Sequence, residues 1–270
     1  MQKTYTYEQF QKLNEVLLKA KEELKNFDNQ SSCRSRYQLG KVIEQTVNEL
    51  RLTTGNSPHI RRLYRNWNVL DKQSCTKQDL SFVIETLAGI KKDFFAGYYD
   101  KIFISHSEKD KEIANELIAL LHNIGIKKSI NGIEGQIFCS SYVGSLIPLR
   151  ENNVEYIKSQ LDSTDNVLAM VLYSKNYMSS VACLNEAGAI WIKNIPFYPI
   201  ILPDFSFEEI KGFLNSNITG FKIDDKHKLN EFKDNLVKYF NLQEVNSNIW
   251  EQERNNFISK MNIYKKKIVT

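Results

Sequence analysis

The sequence predicts an α/β protein, in which a parallel five-stranded sheet follows a smaller all-α region. In the first third of the chain, apolar residues recur at alternating spacings of three and four, which is the period of an amphipathic helix. After residue 97, short apolar runs rich in β-branched and aromatic residues alternate with helical stretches, as in a parallel sheet with crossover helices. We therefore expect a helical region at 1–97, an α/β domain at 98–242 and a C-terminal helical extension at 243–270.

Helix-start signals divide the first region into several helices. Thr6-x-x-Gln9 is a capping-box pattern, Thr76-x-x-Asp79 has the same form, and Ser57-Pro58 suits an N-cap followed by a proline in the first turn. One apolar stripe follows Thr6 and consists of Phe10, Leu13, Leu17, Ala20, Leu24 and Phe27. Because the stripe is heptad-like, we interpret the region as an oligomerising or sensing module. A plain structural extension fits the sequence equally well.

The basic surplus lies in this first region. Residues 1–98 hold 16 Lys/Arg against 11 Asp/Glu, a net of +5, and the remaining residues hold 20 against 21, which together give the net charge of +4. A surplus of this size is typical of a solvated helical face, and no nucleic-acid-binding motif accompanies it. We therefore expect no nucleic-acid partner.

Five runs are predicted as strands, and helical stretches separate them. The strands are expected at Lys101–Ser105, Gln136–Ser140, Asn166–Tyr173, Phe197–Leu202 and Ile218–Ile223. The helices are expected at 108–123, 152–162, 182–193, 206–214 and 226–240. Strands that alternate with helices imply a parallel sheet with both faces covered, and continuous apolar runs fit strands buried on both faces.

Several classes of protein and site are excluded by composition and motif. No apolar run approaches the length of a membrane span, and the polar N-terminus does not match a signal peptide. The four cysteines lack C-x-x-C spacing, so we expect reduced thiols in a cytoplasmic protein. The histidines lack metal-ligand spacing, and the chain has neither a dinucleotide fingerprint nor a phosphate-binding loop. We therefore expect no metal and no cofactor.

Polar residues follow three of the predicted strands. Ser105-His106-Ser107 ends the first, Ser140-Ser141-Tyr142 the second and Ser174-Lys175-Asn176-Tyr177 the third. The carboxyl ends of parallel strands meet at one edge of the sheet, where ligands of such sheets bind. The sequence therefore predicts a polar crevice at this edge.

Three segments together resemble bacterial TIR (Toll/interleukin-1 receptor) domains. Lys101–Asp110 is similar to the family's first motif. Ile137–Ser141, with Gly144–Pro148 and Tyr156–Lys158, is similar to its second strand, mobile loop and next helix. Ser174–Tyr177 and Cys183–Gly188 resemble the segment that carries the family's glutamate. The match covers about residues 100–240, and it implies a flavodoxin-like fold.

The resemblance also implies an activity, because many bacterial TIR domains are NAD⁺ glycohydrolases and some make cyclic ADP-ribose signals in antiphage immunity. It places the catalytic glutamate at Glu186, with NAD⁺ as substrate and no cofactor. It assigns substrate contacts to His106, Ser107, Ser140, Ser141, Tyr142 and Cys183. The loop Gly144–Asn153 would mediate self-association between TIR domains, and the N-terminal helices would be a second region of self-association.

A single carboxylate suits this chemistry, because nicotinamide leaves as a neutral molecule and positive charge develops on the ribose. Glu186 also lies near the start of a predicted helix, where negative charge is favourable without any catalytic role. The sequence departs from the family at Ala182, where active relatives often carry an aromatic residue that stacks on the nucleotide. Trp191, on the same predicted helix, is expected in the core.

Two other functions remain open on the sequence. One is a non-catalytic TIR adaptor that acts through TIR–TIR contacts. The other is a nucleotide-binding sensor or a deoxyribosyltransferase-like enzyme, because related α/β folds cleave other N-glycosidic bonds. The sequence leaves open whether the product is linear or cyclic, what triggers activity and what oligomer forms.

Overall fold

The computed structural model describes residues 5–27, 33–49, 57–66, 70, 75–95, 97–129, 135–139, 157, 161, 166–203, 205–210 and 219–269. The chain forms two compact units, Met1–Tyr98 and Tyr99–Thr270.

The first unit is built from four described helices: α1 (Tyr7–Lys25), α2 (Cys33–Glu49), α3 (Pro58–Asn66) and α4 (Lys77–Phe94). Helix α1 packs against α2 and α4, and α3 packs against α4. The predicted stripe of α1 faces this interior, where Phe10, Leu13, Leu17 and Ala20 are buried. The heptad-like spacing is therefore used to pack helices within the unit.

Side-chain caps begin three of these helices, as the sequence predicts. Thr6 and Thr76 each accept a hydrogen bond from the backbone N–H three residues later, and the side chains of Gln9 and Asp79 bond back to complete the capping boxes. At α3, the Ser57 hydroxyl accepts the backbone N–H of His59 at 3.1 Å. Each cap satisfies amides that a helix start leaves without a partner.

Replacing Thr76 with alanine is expected to lower the free energy of unfolding by about 1 kcal/mol, because the Asp79 amide then loses its acceptor. Urea denaturation compares the variant with the wild type. Thr76→Ser keeps the hydroxyl and serves as the control, so equal losses in both variants would show that the cap bond is not responsible.

The second unit contains a five-stranded, all-parallel sheet in the order β2-β1-β3-β4-β5. The strands are β1 (Lys101–Ser105), β2 (Ile137–Phe138), β3 (Val167–Tyr173), β4 (Phe197–Ile201) and β5 (Phe221–Lys222). This is the strand order of a flavodoxin-like doubly wound fold. The predicted fold class, an α/β flavodoxin-like sheet preceded by an all-α region, is confirmed.

Helices cover both faces of this sheet. They are α5 (Lys111–Asn123), α6 (Lys175–Met178), α7 (Val181–Ile192), α8 (Lys226–Phe240) and α9 (Ser247–Val269). One core joins alternate residues of β1 and β3 to α5, α8 and α9. The opposite core joins the other residues of β3 to α6 and α7. Helix α9, which was predicted as a C-terminal extension, thus contributes Trp250, Phe257 and Met261 to the core of this unit.

The structure shortens several predicted elements and leaves others outside its range. The edge strands β2 and β5 each hold two residues, which is in keeping with the short edges of natural sheets. Of the predicted helix at 206–214, a 3₁₀ turn at Phe207–Glu209 is described. Most of the predicted helix at 152–162 lies outside the described residues.

The expectation that Trp191 lies in the core is wrong, because its side chain is 53% exposed. Helix α7 is apolar on both sides, and only the side with Cys183, Ala187 and Ile190 packs on the sheet. Val181 and Ile192, 73% and 72% exposed, lie on the uncovered side. Across the described ranges of both units, no helix is long and apolar enough to cross a membrane.

Candidate functional site

The carboxyl ends of β1 and β3 mark the position at which this sheet reverses its winding. The two strands are neighbours, with Ser105 of β1 in register with Val171 of β3. The chain leaves β1 for α5 on one face and leaves β3 for α6 and α7 on the other. Doubly wound sheets bind their ligands at such a switch point, in the crevice beyond the strand ends.

Glu186 lies at this point. It projects from α7, and its Oε2 atom accepts a hydrogen bond of 2.6 Å from the Ser105 hydroxyl at the end of β1. Burial raises the pKa of the Glu186 carboxyl, because a poorly solvated carboxylate is less stable than a solvated one, and the Ser105 hydrogen bond partly opposes this rise. The side chain is half-buried, so its carboxylate is neither free in solvent nor sealed in the core.

One further side chain, that of Tyr177, continues from this contact into the protein. The Tyr177 hydroxyl lies 2.9 Å from Ser105 Oγ and donates to the Cys183 carbonyl at 3.0 Å. Tyr177 is fully buried, and burial holds the pKa of its phenol well above the ordinary value. Ser105 is 1% exposed. The carboxylate is therefore bound on its inner side by the buried Ser105 hydroxyl, which in turn contacts the buried hydroxyl of Tyr177.

A second buried carboxylate joins the segments that follow the two strands. Asp110, at the start of α5, accepts hydrogen bonds from the Ser174 hydroxyl at 2.5 Å and from the Asn176 amide at 2.7 Å. Ser174 in turn accepts the backbone N–H of Tyr177 at 2.9 Å. These contacts fix the segment after β3 against the segment after β1.

His106 and Cys183, both predicted to contact substrate, also meet here. The Cys183 thiol donates to the His106 carbonyl at 3.5 Å, and His106 Nδ1 lies 3.7 Å from Cys139 Sγ. Burial lowers the pKa of the His106 imidazole and raises that of the Cys183 thiol, so both groups are uncharged at neutral pH. Their side chains are buried, as is that of Ser107.

The structure thus brings together Glu186, His106, Ser107 and Cys183 around the ends of β1 and β3. Their roles toward a substrate stay predictions. The other predicted substrate contacts, Ser140, Ser141 and Tyr142, lie outside the described residues, as does the loop Gly144–Asn153.

Four side chains of this site were not singled out from the sequence: Ser105, Asp110, Ser174 and Tyr177. The signal for Ser105 and Ser174 was present, because both are polar residues directly after apolar strands. Tyr177 was predicted to follow the third strand, and Asp110 lies in the first TIR-like segment, but no sequence signal identified their contacts with Ser105 and Ser174, which lie 72 and 64 residues away along the chain.

Tyr173, the last residue of β3, packs its ring against that of Tyr177 at 5.4 Å between centroids. Its hydroxyl is buried and has no hydrogen-bond partner among the described residues. Because an unpaired buried hydroxyl destabilises the native state, we expect Tyr173→Phe to raise the free energy of unfolding by about 1 kcal/mol. Urea denaturation tests this, and a loss of stability would mean that the hydroxyl does have a partner in the folded protein.

A metal site finds no support in the parts of the chain that the structure describes, where no three His, Cys, Asp or Glu side chains are grouped as ligands. The arrangement offers instead one carboxylate of raised proton affinity at the edge of the sheet. Such a group can stabilise developing positive charge and accept a proton.

Comparison with known proteins finds a similar protein but identifies no activity for this chain. No family model matches the chain, and no solved structure matches it. The chain is similar to the uncharacterized protein YddK of Bacillus subtilis strain 168, with 36% identity over 162 residues. The similarity covers 60% of this chain and 57% of YddK.

Proposed function

We propose that this protein cleaves the bond between nicotinamide and ribose in NAD⁺, and that Glu186 is its catalytic residue. The observation that carries the proposal is the position of Glu186: a half-buried carboxylate, held by Ser105, at the switch point of a doubly wound sheet. The raised pKa of its carboxyl is a second support, because perturbed proton affinities are concentrated at catalytic sites. The resemblance of residues 100–240 to TIR domains supports the choice of substrate.

The cleavage reaction requires one negatively charged group beside the ribose. As the bond between ribose C1′ and the pyridinium nitrogen breaks, its electron pair goes to nicotinamide, which leaves as a neutral molecule. Positive charge develops on the ribose ring, and the Glu186 carboxylate stabilises it. A water molecule then forms the new bond to C1′ and gives up a proton, which Glu186 accepts. If the adenine of the same substrate attacks C1′ instead, the product is a cyclic ADP-ribose.

The proposal extends to assembly and to cellular role. Copies of the chain associate through their α/β units and their N-terminal helices, and association activates the site in an antiphage or stress signal. The uncovered apolar side of α7, next to Glu186, is consistent with such contacts. The thiols of Cys75, Cys139 and Cys183 are buried and reduced, which supports a cytoplasmic location, where thiols remain reduced.

The test is an incubation of the purified protein with NAD⁺ or with free nucleosides, over a series of protein concentrations, with the products separated by chromatography. We expect nicotinamide and ADP-ribose or its cyclic isomer, and a specific activity that rises with protein concentration. Cleavage of nucleosides alone would identify a transferase. If NAD⁺ stays intact at every concentration, including those at which the protein is assembled, the enzymatic proposal is wrong and the adaptor function is favoured.

A further inference from the structure

The hydrogen bonds behind Glu186 point to a role for two residues that are not expected to touch substrate. We propose that Ser105 and Tyr177 are positioning residues, which hold the Glu186 carboxylate in place and allow it to change protonation state without moving. This inference rests on the proposed function, in which Glu186 both stabilises charge and accepts a proton.

The geometry is a continuous row of oxygen atoms. It runs from Glu186 Oε2 to Ser105 Oγ at 2.6 Å, from there to the Tyr177 hydroxyl at 2.9 Å, and on to the Cys183 carbonyl at 3.0 Å. The first distance is typical of a hydroxyl that donates to an ionised carboxylate. The two hydroxyl groups are buried, so solvent does not compete for these bonds.

The row contains three hydrogen-bonded contacts, which we call links. The number of hydrogen atoms available to them depends on the protonation state of Glu186. When Glu186 is ionised, the two hydroxyl hydrogens serve three links. Ser105 donates to the carboxylate, and the hydrogen of Tyr177 is shared between Ser105 and the Cys183 carbonyl, because a carbonyl can only accept. The ionised carboxylate is thus supported by two donors in series.

When Glu186 gains a proton, a third hydrogen enters the row. Glu186 can then donate to Ser105, Ser105 to Tyr177, and Tyr177 to the Cys183 carbonyl, so every link has its own hydrogen. Only hydroxyl hydrogens turn, and no bond between heavy atoms breaks. A site that needs no rearrangement during proton uptake is preorganised for acid–base chemistry.

A separate set of bonds fixes the far end of the row. Asp110 binds the Ser174 hydroxyl, which accepts the backbone N–H of Tyr177. The ring of Tyr177 packs edge-on against Tyr173, in a core that also contains Cys183 and Ala187. With its backbone and its ring both held, Tyr177 presents its hydroxyl to Ser105 in one direction.

The other titratable groups around the row come from three elements. They are Asp110 and His106 in the segment after β1, Tyr173 at the end of β3, and Cys183 in α7. Burial raises the pKa values of the Tyr173 phenol and the Cys183 thiol and lowers that of the His106 imidazole, so all three are neutral at pH 7. Asp110 is bonded to Ser174 and Asn176, and its negative charge contributes to the raised pKa of the Cys183 thiol.

The experiment uses Tyr177→Phe and Ser105→Ala, with Tyr173→Phe as the matched control. Both tyrosines are fully buried and their rings touch, but only the hydroxyl of Tyr177 has partners among the described residues. Two quantities are measured for each protein: the pH profiles of kcat and KM for NAD⁺, and the titration of Glu186 by ¹³C NMR with labelled glutamate. Glu186→Gln identifies the Glu186 signal.

Loss of a donor destabilises the ionised carboxylate, so we expect Tyr177→Phe and Ser105→Ala to move the Glu186 titration and the acidic limb of kcat to higher pH. We expect kcat at neutral pH to fall about tenfold, with KM changed less than twofold. Tyr173→Phe should match the wild type in both measurements. The proposal is overturned if the titration is unchanged in both row variants, or if Tyr173→Phe shifts it equally. If the wild type does not cleave NAD⁺, the proposed function fails, but the titration still decides whether the row controls Glu186.

Discussion

Replacing Glu186 with glutamine is expected to lower NAD⁺ turnover by about a hundredfold to a thousandfold, the range seen when a preorganised electrostatic group is removed from an active site. Glutamine has nearly the same shape and can still accept the Ser105 hydrogen bond, so the positions of its neighbours should be kept. The variant loses the negative charge and the ability to accept a proton. KM should change little, because the loss concerns the transition state rather than binding.

The same substitution is expected to stabilise the folded protein at neutral pH. The pKa of the Glu186 carboxyl is raised in the folded state, so the folded protein retains a proton that the unfolded chain has already lost. The contribution of Glu186 to the stability of the wild type is therefore greatest below the ordinary glutamate pKa and falls as the pH rises through the raised value. Glutamine does not ionise, so the variant Glu186→Gln does not lose stability in this way as the pH rises.

Thermal unfolding of both proteins at pH 4 and pH 7.5 measures the effect. The midpoint of Glu186→Gln should exceed that of the wild type at pH 7.5, and the difference should shrink at pH 4, where the glutamate is largely protonated in both states. A variant less stable than the wild type at both values would show that Glu186 serves the fold. Opposite changes in activity and stability are typical of functional residues.

Replacing Asn230 with alanine is expected to lower the free energy of unfolding by about 3 kcal/mol, because it leaves a buried cation without its closest acceptor. Arg254 of α9 is 1% exposed, and its Nη1 atom donates to Asn230 Oδ1 of α8 at 2.6 Å. The indole N–H of Trp250 donates to the same oxygen at 2.8 Å. The Glu251 carboxylate is 3.9 Å from the guanidinium and is largely solvated.

Asn230→Asp is the matched control, because it keeps an acceptor oxygen for both hydrogen bonds and adds a countercharge to the buried guanidinium. We expect it to be at least as stable as the wild type at pH 7. Any excess stability of Asn230→Asp over the wild type should disappear on acidification below about pH 4, since a carboxylate with a lowered pKa contributes stability only while it is ionised. Urea denaturation of the wild type, Asn230→Ala and Asn230→Asp at neutral and at acidic pH measures these differences in stability. A loss under 1 kcal/mol in Asn230→Ala would show that the hydrogen bonds of Asn230 to Arg254 and Trp250 contribute little to stability.

The central part of the fold could be read from the sequence because its strands are buried on both faces. All seven residues of β3 are buried, and a central parallel strand therefore appears as a continuous apolar run. The helix caps could be predicted for a different reason, since a cap involves residues only three positions apart. Both signals come from residues that are close together in the chain, so they can be recognised in a single sequence.

Helix α7 shows that hydrophobicity alone does not predict which residues of a helix are buried. Trp191 was expected in the core, yet the covered side of this helix is made by the smaller Cys183, Ala187 and Ile190. When a helix is apolar all round, its composition does not say which side the sheet covers. The stripe of α1 was ambiguous in another way, because heptad-like spacing serves equally well for packing inside a unit and between chains.

The candidate site was only partly predictable. The resemblance to TIR domains supplied Glu186, and the polar strand ends indicated the edge of the sheet. The contact between Glu186 and Ser105 joins residues 81 positions apart, and periodicity carries no information about such a pair. Tyr173 and Tyr177 illustrate the limit, because both are fully buried tyrosines four residues apart, and only the geometry shows which hydroxyl is bonded.

Release of nicotinamide from NAD⁺ labelled in the nicotinamide ring tests the central claim most directly. Wild type and Glu186→Gln are compared at equal, high protein concentration and neutral pH, after both are shown to be folded and equally assembled. The wild type should release labelled nicotinamide steadily, and the variant should release about one hundredth as much or less. Equal release by the two proteins, or none by an assembled wild type, would contradict the assignment of Glu186 as the catalytic residue of an NAD⁺-cleaving enzyme.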